Sequence, residues 1–195
     1  PDGELLGNNI KVNIYVKEHQ YAGALPFYII SMGDPNRNAD ICNITNSVQV
    51  PFFIEDTIYF QDPALTGFNT SPILLNPPVD FAVEGVPFIH NPNDYDPDGD
   101  SLAFSFTIPK ATQVNNVPGY QYPDEIEPGP DNTFTIDNRT GEVVWDSPQR
   151  CNCEFNFAIL IREYRNGVLL SSIRRDMQVR VLCNQNNPPV IDEFA

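Results

Sequence analysis

Four aspartates occupy every second position of one short stretch, at Asp94, Asp96, Asp98 and Asp100. Like charges this close repel one another by roughly 1 kcal/mol per pair in water, and by more where solvent is partly excluded. An ordered loop of this composition is expected to hold a cation, and carboxylate oxygens are the ligands that calcium prefers. The stretch therefore predicts a Ca²⁺ site. The alternative is a solvated turn in which Asp98-Gly99 only supplies a permissive backbone.

An EF-hand loop begins with the same spacing, since Asp94, Asp96, Asp98 and Gly99 match its first half. Its twelfth position would be Ser105, where an EF-hand needs a bidentate glutamate. The flanking residues also alternate like a strand instead of a helix. The EF-hand interpretation therefore fails.

The elements that must position this loop are predicted to be strands, because apolar residues alternate with period two and no sustained helical period occurs. Asn166-Gly167 predicts a tight turn that pairs the last two strands antiparallel. Prolines and glycines fall mostly between the strands, as a β-sandwich requires. The fold class is therefore expected to be all-β. Strands are expected at residues 10–16, 25–31, 48–60, 102–108, 133–136, 142–145, 155–162 and 173–182.

The charge balance argues against several classes of partner. The chain has 26 acidic and 11 basic residues, for a net charge of −15. This surface repels phosphate backbones and anionic lipids, so nucleic acid is not an expected partner. Direct membrane insertion is not expected either, because no apolar run approaches the ~20 residues that span a bilayer.

One internal repeat predicts the domain boundaries. Asn76-Pro77-Pro78-Val79 recurs 111 residues later as Asn187-Pro188-Pro189-Val190, and this offset matches the length of one sandwich domain. Each Pro-Pro is expected to be a stiff linker. The prediction is a sandwich module at 1–75 that lacks its first strands, a complete module at 79–184, and a linker with the start of a following module at 185–195. Coincidence is the alternative, because Asn-Pro-Pro is common in loops.

The four cysteines predict an oxidising compartment. Counting outward from Asn166-Gly167 places Cys151 or Cys153 nearly opposite Cys183. A disulfide from Cys183 to one of them, with Cys153 preferred, fits the spacing and an extracellular protein. Cys42 then takes the remaining partner or stays free. A soft-metal site at Cys151 and Cys153 lacks a third ligand nearby in sequence.

Catalysis has little support in the sequence. His19 and His90 are the only histidines, and neither lies in a nucleophile motif. Paired carboxylates leave glycosidase chemistry open, because the separation of two carboxylates is a three-dimensional quantity. Tyr120 and Tyr122 are the best candidates for a sugar-stacking platform, which would make the chain a carbohydrate-binding module of a secreted enzyme.

Five arginines flank the predicted hairpin, and their outward members either form a solvated face or meet an acidic neighbour. A protein-binding subunit of a cell-surface assembly, binding through a strand edge, is a further alternative. The arginines are Arg162, Arg165, Arg174, Arg175 and Arg180.

Three stretches, residues 84–88, 96–102 and 134–145, resemble successive motifs of bacterial cadherin-like and immunoglobulin-like repeats. Three further stretches, residues 34–38, 76–78 and 162–167, are similar to those of large Bacteroidetes surface proteins. Proteins of this type carry a gliding-motility-associated C-terminal region and use type IX secretion. The resemblance implies tandem β-sandwich modules and a non-enzymatic adhesion protein that is secreted or attached to the cell surface. Its implied partners are neighbouring modules of the same chain, with a cell-surface protein or polysaccharide as a further candidate.

The resemblance also implies a set of calcium ligands at a module junction. Asp96 and Asp98 match the Asp-x-Asp of cadherin-type modules, and Glu84 matches their first-strand glutamate. Glu163 stands where these repeats usually have aspartate, and Asp100 either coordinates the ion or caps its own turn. The linker ligands would be Asn76 and Asp80. Calcium bound by these residues would convert a flexible Pro-Pro linker into a rigid one.

Overall fold

The computed structural model describes residues 3–7, 10–21 and 25–185. Nearly all regular structure within them is strand, which confirms the all-β fold class. The only helical elements described are a 3₁₀ turn at Ser47–Gln49 and two four-residue helices, α1 (Pro63–Thr66) and α2 (Pro123–Ile126). None of the helices in these ranges is long and apolar enough to cross a membrane. The strands are β1 (Glu4–Gly7), β2 (Ile10–Val12), β3 (Phe27–Asp34), β4 (Phe52–Tyr59), β5 (Ile73–Leu74), β6 (Val79–Val83), β7 (Phe88–His90), β8 (Asp94–Tyr95), β9 (Ser101–Thr107), β10 (Phe134–Ile136), β11 (Val143–Trp145), β12 (Cys153–Arg165) and β13 (Val168–Leu182).

Strands β6 to β13 build a two-sheet sandwich. One sheet has the order β10-β11-β7, and the other contains β9, β12 and β13, with β6 parallel to β13. Counted from β6 with the two-residue β8 left out, the sandwich has seven strands. The second, fifth and fourth (β7, β11 and β10) form one sheet, and the third, sixth and seventh (β9, β12 and β13) form the other. This is the strand order of an immunoglobulin-like sandwich, except that the first strand pairs with the last.

The hairpin between β12 and β13 confirms the turn prediction. Asn166 and Gly167 both have positive φ, at 51° and 81°, and connect Arg165 to Val168 as a two-residue loop. A bulge between Glu163 and Tyr164 shifts the register by one residue along the rest of the pair. This shift decides which side chains face each other at the far end of the hairpin.

The hydrophobic core lies between the two sheets, where alternate residues of each strand point inward. Trp145 is 1% exposed, and its Nε1 donates to Asn132 Oδ1 at 2.6 Å. Gly141 has a φ of +72°, and a Cβ at this position would lie 2.8 Å from the Phe104 ring. The buried core residues are Ala82, Phe88, Phe104, Phe134, Val143, Trp145, Phe155, Phe157, Ile159, Ile161, Met177, Val179 and Val181.

Strands β3 and β4 come from the predicted first module, yet they extend the larger sheet of the second one. β4 pairs with residues 171–173 of β13, and β6 pairs with residues 178–182 of the same strand. The boundary expected at residues 75–79 therefore does not separate two sheets within the described ranges. The existence of independently folding modules stays a prediction.

A second, smaller core joins the first part of the chain to the sandwich. Ile41, Ile44 and Val50 pack with Ala111 and Val117. Beside it, the side chain of Asn43 bonds both backbone groups of Asn156, donating to its O at 2.7 Å and accepting from its N at 2.9 Å. Arg37 and Asp176 form a buried ion pair at 2.9 Å.

Two predicted strands differ from the structure, and one further prediction falls outside the described residues. The strand expected at 10–16 covers only β2, which pairs with β1, because residues 13–16 have no strand partner in the described part of the chain. The strand expected at 48–60 starts at Phe52, since a 3₁₀ turn occupies Ser47–Gln49. The second Asn-Pro-Pro motif and the expected following module lie outside the described residues, apart from residue 185.

Candidate metal centre

The acidic stretch is a turn at the end of the sandwich where the β12–β13 hairpin closes. Asp96 Oδ1 accepts the backbone N–H groups of Asp98 at 2.9 Å and Asp100 at 3.0 Å. Gly99 has a φ of 80°, a conformation that glycine adopts without strain. One oxygen of Asp96 therefore organises the loop, and its other oxygen is left for another partner.

The turn brings Asp96 and Asp100 next to Glu163 of β12. One carboxylate oxygen of each lies within 4.8 Å of the others. Oxygen ligands of Ca²⁺ lie about 2.4 Å from the ion, so two ligands of one ion are at most about 4.8 Å apart. The three carboxylates fit around a single ion.

Glu163 is the buried member of this cluster, with 0% of its surface exposed. Its Oε2 accepts from Ser171 Oγ at 2.5 Å and from Asn69 Nδ2 at 3.0 Å. Its Oε1 and Asp96 Oδ2 are both buried without a hydrogen-bond partner in the described part of the chain. Burial raises the pKa of Glu163 to about 7. A cation bound here would favour the ionised form of Glu163, and two buried carboxyl oxygens that lack a donor are suited to a hard cation.

Arg165 supplies a positive charge on the rim of the cluster. Its Nε donates to Asp100 Oδ1 at 2.8 Å. Its NH2 group donates to Asp100 Oδ2 at 2.6 Å and to Asp98 Oδ2 at 3.2 Å. This contact holds the pKa of Asp100 below its usual value. The same guanidinium donates to the carbonyl oxygens of Thr66 and Phe68. This end of the sandwich thus carries four carboxyl groups, two of which contact Arg165, and a divalent ion would offset the remaining acidic charge.

Arg165 was predicted as a member of the basic cluster and not as a site residue. The available signal was its place directly before the Asn166-Gly167 turn, at the same end of the sandwich as the acidic loop. Of the other arginines, Arg174 lies 3.6 Å from Glu55, and Arg175 is buried and donates to the carbonyl of Asn76. Several arginines therefore meet acidic or buried polar partners instead of forming a solvated face.

The remaining predicted ligands do not join the three-carboxylate cluster. Asp98 accepts from Thr70 N at 2.6 Å and faces Arg165. Asp80 Oδ2 is hydrogen-bonded to His90 Nδ1 at 2.8 Å, and Asn76 Nδ2 donates to Asn91 O at 2.7 Å.

Glu84 lies at the opposite end of the sandwich from the acidic turn. Its Oε1 accepts from Cys151 N at 3.2 Å, next to the first residue of β12. Glu163 lies ten residues further along that strand, a distance of about 33 Å. The structure thus brings together three of the seven predicted ligands and places Asp98 beside them.

All four cysteines are paired, but not in the preferred way. Cys42 is bonded to Cys153, and Cys151 to Cys183. The observed register puts Val181 opposite Cys153 and, by extension, Cys183 opposite Cys151. Without the bulge Cys183 would lie opposite residue 150, so Cys151 is the nearer cysteine in either register. Cys153 is then available to Cys42, whose backbone N donates to Glu154 O at 2.8 Å. Pairing of Cys153 with Cys183 is therefore wrong.

Tyr120 and Tyr122 do not form a flat stacking platform. Their rings meet edge to face, with centroids 5.2 Å apart, and both are partly buried. Tyr120 packs against the smaller core and donates its hydroxyl to Asn156 O, whereas Tyr122 packs against the main core and the ring of Phe106. The carbohydrate-platform interpretation has no support from this geometry.

Strand order and pairing define this chain as a β-sandwich protein of immunoglobulin-like topology. No family model matches the sequence, and no curated protein matches it. Solved structures with similar folds include human protocadherin-24 EC1-2, with 21% identity and a TM-score of 0.38, over 58% of this chain and 44% of that chain. The present chain thus spans less than half of that protocadherin structure.

Two further structures have similar folds. One is a Bacteroides fragilis protein provisionally described as an α-galactosidase, with 10% identity and a TM-score of 0.35 over 58% of this chain and 18% of that one. The other consists of the tandem Ig repeats of Dlar, with 8% identity and a TM-score of 0.30, over 82% of this chain and 83% of that one. The topology assigned above rests on the pairings within this chain.

Proposed function

We propose that this chain is a non-enzymatic, extracellular structural or adhesion segment whose acidic turn binds calcium. The observation that carries the proposal is the pair of buried oxygens, Glu163 Oε1 and Asp96 Oδ2, that lie beside Asp100 and have no hydrogen-bond partner among the described residues. A bound Ca²⁺ would give both oxygens a partner and offset the charge of the cluster. The disulfides support an extracellular site of action, because such bonds persist in oxidising compartments.

The proposed role of the ion is to fasten the part of the chain that precedes Pro77-Pro78 to the sandwich that follows it. Asn69 and Thr70 come before this linker, and they donate to Glu163 and Asp98, which come after it. A cation that fixes these carboxylates also fixes the contacts that cross the linker. The division into modules at 1–75, 79–184 and 185–195 belongs to the same proposal, with neighbouring modules as the partners.

Calcium titration tests the site. Extracellular modules bind calcium with dissociation constants of roughly 0.1–1 mM, so ~5 mM Ca²⁺ is expected to stabilise the chain by about 1–2 kcal/mol over a chelator. The measurement is the urea midpoint of the wild-type chain in EDTA and in Ca²⁺. Glu163→Gln should lose most of the calcium effect. Glu84→Gln, which changes a predicted ligand at the other end of the sandwich, should keep it.

A second readout addresses the linker. Small-angle scattering of the 195-residue chain in EDTA should show a more variable shape than in Ca²⁺, because the contacts across Pro77-Pro78 then lack the ion. Identical unfolding midpoints in EDTA and Ca²⁺ would refute the site. Unchanged scattering with a shifted midpoint would refute only the linker role.

On the motifs alone, we further propose that the chain belongs to a large Bacteroidetes surface protein of the gliding-motility-associated type that leaves the cell by type IX secretion. A surface protein or polysaccharide is its proposed external partner. Sequencing the gene on both sides of the segment tests this assignment. It fails if the flanking sequence encodes no further sandwich modules and no C-terminal secretion signal.

A further inference from the structure

Arg165 lies between the acidic turn and the loop at residues 66–69. Besides Asp98 and Asp100, its guanidinium contacts Asn69 Oδ1 of that loop, at 3.1 Å, and two of the loop's backbone carbonyl oxygens. The side chain of Arg165 is 18% exposed and that of Asp100 is 5% exposed. A guanidinium stays protonated at every pH at which proteins fold. A permanent positive charge is therefore built into the rim of the candidate metal centre.

Asp100 is shared between Arg165 and the candidate ion. Both of its oxygens accept from Arg165, at 2.8 Å and 2.6 Å, and one of them also lies within 4.8 Å of oxygens of Asp96 and Glu163. A carboxylate oxygen has two lone pairs, so it can accept a hydrogen bond and ligate a metal at once. Whichever oxygen Asp100 offers, an ion at the usual distance of about 2.4 Å would lie within about 5 Å of a guanidinium nitrogen.

Two cations this close repel each other. At about 5 Å in bulk water, a divalent ion and a guanidinium oppose one another by enough to weaken binding roughly tenfold, and by more where solvent is partly excluded. The carboxylate ligands attract the ion from shorter distances, so the guanidinium lowers the affinity without abolishing binding. When the ion is absent, the same guanidinium offsets part of the charge of the turn through its ion pairs with Asp98 and Asp100.

We propose that Arg165 sets the calcium affinity of this site, because its charge weakens binding of the ion and holds the acidic turn together when the ion is absent. The inference rests on the proposed calcium function and adds to it the residue that limits the affinity. A site balanced in this way fills at roughly millimolar calcium, the range in which extracellular modules operate. It also stays ordered when the calcium concentration falls.

Substitutions separate the charge of Arg165 from its hydrogen bonds. Arg165→Gln removes the charge, whereas Arg165→Lys keeps the charge but loses the two-pronged contact with Asp100. Arg165→Met also removes the charge and retains much of the packing of the side chain. Arg150→Gln is the matched control for net charge, because Arg150 pairs with Glu127 and directly precedes Cys151, at the opposite end of the sandwich.

Calorimetric titration of Ca²⁺ into the 195-residue chain measures the affinity, and urea unfolding in EDTA measures the stability without calcium. Arg165→Gln should bind calcium about tenfold more tightly than the wild type, yet unfold at a lower urea concentration in EDTA. Arg165→Lys should also lose stability in EDTA, but its affinity should stay within about threefold of the wild type, because the charge remains. Arg150→Gln should leave the affinity unchanged. If Arg165 served folding alone, its loss would instead loosen the site and weaken calcium binding.

The possible results distinguish this inference from the calcium function itself. If the wild type binds calcium and Arg165→Gln binds it no more tightly, or if Arg165→Lys gains as much affinity as Arg165→Gln, the role of Arg165 is refuted and the calcium function stands. If none of the chains binds calcium, both are refuted. If only Arg165→Gln and Arg165→Met bind, the opposing charge is confirmed and the calcium function of the natural chain fails. If neither of these two variants folds even in Ca²⁺, Arg165 is a structural residue and the inference is wrong.

Discussion

Asp56 is a mostly buried carboxylate whose ionisation is expected to weaken the fold at neutral pH. It lies on β4 opposite Ile30 of β3 and Ile173 of β13, and its Oδ1 is buried with no hydrogen-bond partner within the described ranges. Burial raises the pKa of Asp56 from 3.8 to about 6. Since one pKa unit corresponds to about 1.4 kcal/mol, ionised Asp56 costs roughly 3 kcal/mol of folding free energy.

The sign of the pH dependence follows from this shift. The native chain holds the Asp56 proton more tightly than the unfolded chain does. The protonated form therefore contributes stability in full below pH ~4, and this contribution is lost as the pH rises through about 6. The loss is complete at about pH 8.

Asp56→Asn removes the charge and keeps the shape of the side chain. Its amide still lacks partners, which costs about 1 kcal/mol. At about pH 8 the variant is therefore expected to be more stable than the wild type by about 2 kcal/mol, or roughly 4–8 °C in Tm for a chain of this size. At pH ~4 the advantage should disappear, because the wild-type carboxyl is then neutral.

Urea unfolding between about pH 4 and 8, in EDTA, measures this difference. Trp145, the only tryptophan, is buried in the core and reports unfolding by fluorescence. Asp131→Asn, at an exposed position, is the matched control and should change neither the stability nor its pH dependence. Parallel stability curves for the wild type and Asp56→Asn, or a variant that is less stable at every pH, would refute the reasoning.

Two further predictions concern the disulfides and Gly141. The Cys42–Cys153 bond spans 111 residues and the Cys151–Cys183 bond spans 32, so replacing the first pair by serine should cost about 5 kcal/mol and the second about 4 by the chain-entropy model. Urea unfolding of the two double variants compares them, and a larger cost for the shorter loop contradicts that model. Gly141→Ala should destabilise by about 2 kcal/mol or more, since φ is positive and the new Cβ meets the Phe104 ring. Gly85→Ala, also at positive φ but with open space around it, is the control and should cost less.

Local patterns predicted the second half of the fold well. The turn residues Asn166-Gly167 and the alternating residues around them specify β12 and β13, because a tight hairpin depends on adjacent sequence. The pairing of β4 with β13 joins residues more than one hundred positions apart. The alternation of apolar residues within each strand does not indicate which strand it pairs with. The bulge after Glu163 was equally hidden, and so was the approach of Cys42 to Cys153 across 111 residues.

The candidate site was predicted in part for the same reason. Asp96 and Asp100 lie four residues apart in one turn, so their proximity follows from local chain geometry. Glu163 joins them because the β12–β13 hairpin closes at the same end of the sandwich. Glu84 was expected there by resemblance, but the loop after β6 lies at the other end. Arg165 depends on the same long-range arrangement, which its own sequence neighbours do not reveal.

The two disulfides have a consequence for a chain under tension. A pull on the residues before Cys42 and after Cys183 passes through one bond from Cys42 to Cys153, back two residues to Cys151, and through the second bond to Cys183. This covalent path bypasses both strands of the parallel ladder between β6 and β13, which lie inside the loops that the bonds close. While both bonds are intact, a stretching force is therefore carried by covalent bonds and does not shear the strands of the sandwich.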